Sequence, residues 1–65
     1  MTVNIVDISD LITQEGNQAI KYEELIKKAE NENFKKTLQE LHNLSVKKLN
    51  LLVKIVKEGP WGDWK

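Results

Sequence analysis

The chain lacks cysteine and arginine, has one proline, one histidine and three glycines, and nowhere runs more than three apolar residues together (Leu51-Leu52-Val53). Each shortage removes a class of protein. Without cysteine there are no disulfides, thiolate metal sites or cysteine nucleophiles. Without arginine, and with ten lysines balancing ten acids, there is neither a guanidinium fork nor a net positive field to favour nucleic acid. The amino-terminal stretch Met1–Asp7 carries no basic segment ahead of an apolar one, so no signal peptide or membrane span is expected and the cytoplasm is the expected location. No glycine-rich phosphate loop, nucleophile elbow or paired-carboxylate cleft occurs; no enzymatic activity and no cofactor are expected.

What is present is helical. Sixty-five residues, 40% hydrophobic and 31% charged, suffice for one small domain whose own core is marginal unless something adds to it. Residues 1–6, with β-branched Val3, Ile5 and Val6, read as an extended arm. Asp7 or Ser9 then offers a helix N-cap. From there Ile8, Ile12, Glu15, Ala19, Tyr22, Ile26 and Ala29 recur at alternating steps of four and three, the spacing of a coiled-coil or bundle seam. This predicts a helix over 8–30. Glu30-Asn31-Glu32-Asn33 breaks the period and supplies turn-favouring asparagines. A second helix is predicted over 34–58, stopped by Gly59-Pro60. Its apolar residues, from Phe34 and Leu38 through Leu41, Leu44, Leu49, Leu51, Leu52, Val53, Ile55 and Val56, form a face that widens toward the carboxyl end.

Two helices of about 35 Å each at 1.5 Å per residue, joined by a short turn, fold back as an antiparallel hairpin. Their charges agree: residues 1–33 carry three Lys against seven acids, net −4, and residues 34–58 six Lys against two acids, net +4. A hairpin leaves one side of each apolar face in water. The expected remedy is a homo-oligomer, a dimer forming a four-helix bundle or a tetramer.

The stretch Glu15-Gly16-Asn17-Gln18-Ala19-Ile20-Lys21-Tyr22, followed by Leu25, Ala29 and the break before Phe34, resembles the first helix of a ferritin-like half of rubrerythrin type. The resemblance spans residues 11–58. It implies a metal-binding Glu at position 15, a Tyr at position 22 and a Glu-x-x-His pair on the second helix. Glu15 and Tyr22 match; the pair does not, because Lys48 and Leu51, or Ser45 and Lys48 one turn away, stand where it belongs. Loss of both ligands of one helix removes a di-metal site. The resemblance therefore implies a structural half without metal. A metal-binding protein with a site between subunits, built from Glu15 and His42, is the alternative.

Folding the hairpin about residue 32 sets Glu15 level with Lys48 or Leu49 and Tyr22 level with His42. An internal Glu15–Lys48 ion pair filling the place of a metal is one reading; a Lys48 that reaches out to water is the other. Glu40 and His42, two residues apart, face different sides of their helix and make no metal pair. Gly16 costs about 1 kcal/mol relative to Ala inside a helix, either for a close helix approach or through simple tolerance. The tail Gly59–Lys65 holds both tryptophans, Trp61 and Trp64. They are expected to cap the open end of the bundle; docking to a protein partner and interfacial membrane attachment are the alternatives.

Overall fold

The computed structural model describes residues 4–58. Among them are two helices and no strand: α1, Ile5–Lys28, and α2, Glu32–Glu58, packed on each other along their length. The connection is Ala29-Glu30-Asn31. A three-residue connection is within the range that joins antiparallel helices, and the packing of α2 back along α1 makes the pair a hairpin.

α1 starts earlier than predicted. Asn4, in an extended conformation, accepts a 2.8 Å hydrogen bond from the Val6 N–H on its side-chain oxygen. That satisfies one of the amide donors orphaned at a helix start and places the cap three residues ahead of Asp7. Ile5 and Val6, expected in an extended arm, are therefore helical, and Asp7 sits in the first turn beside the positive end of the dipole. Lys27 and Lys28 occupy the last turn, the favourable sign for that end. Ala29 leaves the helix extended (φ −70°, ψ 128°), its N–H still donating to the Leu25 carbonyl at 2.9 Å.

Asn31 begins α2. Its carbonyl accepts from Lys35 N–H at 2.9 Å and its side chain from Phe34 N–H at 3.0 Å, the arrangement of an N-cap. The asparagines read as turn formers thus do a more specific job, and Glu32, Asn33 and Phe34 lie inside the helix.

The seam read on α1 is the one the chain uses. Ile8 and Ala19 are buried, and Ile12, Glu15, Tyr22, Ile26 and Ala29 are half-buried. On α2 the seam is narrower than the predicted face: Leu38 and Ser45 are buried, and His42, Leu49, Leu52 and Val56 are half-buried. These too are spaced by alternating fours and threes. Phe34, Leu41, Leu44, Leu51, Val53 and Ile55 are exposed. A helix presents about a third of its circumference to one neighbour, and on α2 apolar residues cover much more than that. No helix among the described residues is long and apolar enough to cross a membrane.

Candidate functional site

The most buried residue described is polar. Ser45, 2% exposed, lies in the seam between α1 and α2, against Glu15. The Ser45 hydroxyl donates to the Glu15 carboxylate at Oε2 and lies 3.4 Å from the Glu15 carbonyl oxygen. The other carboxylate oxygen, Oε1, faces Lys48 Nζ at 3.9 Å. Glu15 is only 14% exposed in its side chain and Lys48 is 66% exposed. The carboxylate is therefore held inside by a hydroxyl, with the ammonium reaching it from solvent. Lys48 faces Glu15 from the water side. Ser45 is the partner that sequence reasoning missed, because its pairing with Glu15 depends on a register that the fold supplies. No buried side-chain nitrogen or oxygen among the described residues lacks a hydrogen-bond partner.

His42 goes elsewhere. Its Nε2 lies 3.1 Å from Glu23 Oε1, with the two side chains 23% and 59% exposed. Tyr22 lines a groove with Leu41 and Leu44 on the Glu15 side. Glu15 and His42 thus open to opposite flanks of the hairpin: the grooves bordered by Glu15 and the one bordered by His42 and Glu23 have no residue in common. Among the described residues no three His, Asp or Glu side chains are grouped to hold a metal ion. Trp61 and Trp64 lie outside the described residues.

The feature left open is apolar. Two shallow grooves, one of about 330 Å³ lined by Leu11, Gln18, Lys48, Leu51 and Ile55, the other lined by Tyr22, Leu41 and Leu44, share Glu15, Gln18, Lys48 and Leu51. They form one trough along the hairpin on the flank away from His42. Leu11, Leu41, Leu44, Leu51 and Ile55, between 39% and 55% exposed, stand along it. The polar groups that border the trough include Gln14, Gln18, Glu15, Tyr22 and Lys48. Such a surface is suited to burial against another apolar surface. No protein-family model, curated protein or solved structure matches this chain.

Proposed function

We propose that this chain is a structural or protein-interaction module without enzymatic activity, which self-associates through the leucine trough to complete a four-helix bundle. The observation that carries the reading is that α2 places three of its six leucines outside the seam with α1. Leu41, Leu44 and Leu51 point into the trough, each 39–55% exposed, while the seam holds Ser45 and His42. Covering side chains of this size contributes on the order of 1–2 kcal/mol each, a large increment for a domain this small. A second copy of the hairpin supplies a cover of the same length and shape. The closed two-fold dimer is the smallest assembly that removes the trough from water on both copies.

Sedimentation equilibrium across a wide range of protein concentration tests the reading. A dimer mass, with a thermal midpoint that rises with concentration, is the expected result. A monomer mass with a concentration-independent midpoint overturns it.

A further inference from the structure

Beyond Glu58 the chain continues as Gly59-Pro60-Trp61-Gly62-Asp63-Trp64-Lys65, which holds both of its tryptophans. We propose that this segment turns back and seats Trp61 in the upper part of the trough of its own chain, the groove between Leu11 on α1 and Leu51 and Ile55 on α2. The proposal goes beyond the self-association reading, because it holds within a single chain. It leaves the rest of the trough, around Tyr22, Leu41 and Leu44, to a second copy.

The place where α2 ends carries the argument. Leu51 and Ile55 stand four residues apart on one stripe of the helix, and the next position of that stripe is 59, just past the last residue of α2. The chain therefore leaves the helix at the mouth of the groove. Gly59-Pro60 stops a helix there, glycine by accepting the left-handed turn that reverses direction and proline by lacking an N–H. Leu51 lies seven residues back from Glu58, about 10 Å at 1.5 Å per residue. The three residues from Glu58 to Trp61, extended at about 3.3 Å each, cover the same distance, so Trp61 is the tryptophan matched to the groove. The other flank offers no such match. The α2 residue of the His42–Glu23 groove nearest to Glu58 is Asn43, fifteen residues and about 22 Å away, twice the reach of Trp61.

The lining fits an indole, which is a large apolar plate with one donor and no acceptor. The groove has about 330 Å³ of room, its walls are leucine and isoleucine, and Gln14, Glu15 and Gln18 stand along it. Their side-chain oxygens are acceptors for the indole N–H, which needs one once it is buried. Lys48, on the same groove and 66% exposed, has an ammonium free to lie over the ring face. Leu11, Leu51 and Ile55, 46%, 54% and 41% exposed, are covered by the same ring, so groove and tryptophan leave water together. A segment tethered this closely competes at a millimolar effective concentration, which favours the chain's own tail over a partner's at micromolar protein.

Tryptophan fluorescence reads the docking directly, because no tryptophan lies outside the tail. With Trp64→Phe in the full chain, Trp61 is the only emitter. Its emission is expected to be blue-shifted, and its quenching by acrylamide several-fold weaker, than in a synthetic peptide of residues 58–65 carrying the same change. Both differences should survive dilution. Adding Leu51→Lys should return both to the peptide's values, whereas Leu41→Lys, in the lower trough, should leave them unchanged. Peptide-like emission from the Trp64→Phe chain overturns the proposal, as does a blue shift lost on dilution or lost equally in Leu41→Lys and Leu51→Lys.

A second reading leaves the apolar wall intact. Bimane on a single cysteine at Gln14→Cys should be quenched by contact with Trp61 and recover with Trp61→Phe, while Ser9→Cys, two residues from Leu11 and so on another side of α1, should stay bright. A labelled Gln14→Cys chain carrying Trp61→Phe should also stay bright when mixed with the unaltered chain. Quenching in that mixture puts the partner's tail in the groove and overturns the proposal, as does equal emission from the two labelled positions. Circular dichroism on each variant checks that the helices are intact. Sedimentation of the unaltered chain separates the two ideas: a monomer with a blue-shifted Trp61 removes the dimer and keeps the docking, and a dimer with a peptide-like Trp61 does the reverse.

Discussion

The two apolar regions of this hairpin are built in opposite ways. The seam between α1 and α2 is thin and partly polar, with Ala19, Ser45, Glu15 and His42 at its middle and Ile8 and Leu38 toward its ends. The trough beside it, bordered by Leu11, Leu41, Leu44, Leu51 and Ile55, is open. The polar middle of the seam sets the height of one helix on the other, because a hydrogen bond such as Ser45–Glu15 is satisfied in one register only. The trough has apolar side chains and no partner among the described residues. Register is thus assigned to one surface, and a further share of hydrophobic stabilisation is left to the other.

The sharpest way to break that comparison is to damage each region separately. Leu38→Ala empties a buried seam position, 5% exposed, and should cost about 2–4 kcal/mol, removing the helical signal at all accessible concentrations. Leu44→Lys touches a side chain already 55% exposed and leaves the seam intact. It should lower the association constant by on the order of a hundredfold while the hairpin refolds at high concentration, since a buried charge in an apolar interface costs several kcal/mol. Sedimentation and circular dichroism on the same samples read both effects. Equal loss of helix from the two variants at every concentration would show that seam and trough are one core.

A smaller effect sharpens what holds Glu15. Double-mutant cycles with Glu15→Gln, Ser45→Ala and Lys48→Met should give a coupling of about 1–2 kcal/mol between Glu15 and Ser45, and no more than about 0.5 kcal/mol between Glu15 and the largely exposed Lys48. The measurement is chemical denaturation of the four members of each cycle. A Lys48 coupling larger than that of Ser45 would restore the internal ion pair as the principal tie.

The unequal regions also explain what could be read from sequence. The α1 seam was legible residue by residue, because its members keep the alternating steps of four and three over the whole helix, whereas Val6, Leu11 and Ile20 outside it make no continuous stripe. On α2 the hydrophobic pattern contains more than one stripe. Leu41, Leu44 and Leu51 lie on one, Leu38, Leu49 and Leu52 on another, and hydrophobicity alone cannot choose between them. The stripe that faces α1 includes Ser45 and His42, so two stripes equally rich in leucine compete and the seam is the one interrupted by polar residues. Glu15 was identifiable as the polar member of an apolar stripe, but its hydroxyl partner depended on a register that only the fold supplies. The start of α1 was missed for a local reason: two β-branched residues after Asn4 read as extended, and the cap at Asn4 outweighed that preference.

The asparagine at the turn is a test of intermediate size. Asn31→Ala removes the side-chain acceptor of the Phe34 N–H and should cost about 1 kcal/mol, lowering the thermal midpoint without altering the dimer mass. A change in mass would mean that the turn takes part in the interface.

Gly16 gives the smallest effect and the only expected gain. It lies inside α1 on the flank away from Leu11 and Gln18, and a Cβ added there would meet no atom within 4 Å. Close approach to α2 therefore does not account for it. Gly16→Ala should stabilise the hairpin by up to about 1 kcal/mol, because alanine gives up less backbone freedom on entering a helix. The same substitution probes the far flank. If the second copy lies over the trough, the methyl group stays clear of it, and the association constant should be unchanged while the midpoint rises. A variant that is more helical as a monomer yet dimerises less would put the partner over Gly16, on the side where His42 pairs with Glu23, and the leucine trough would no longer be the surface that closes the bundle.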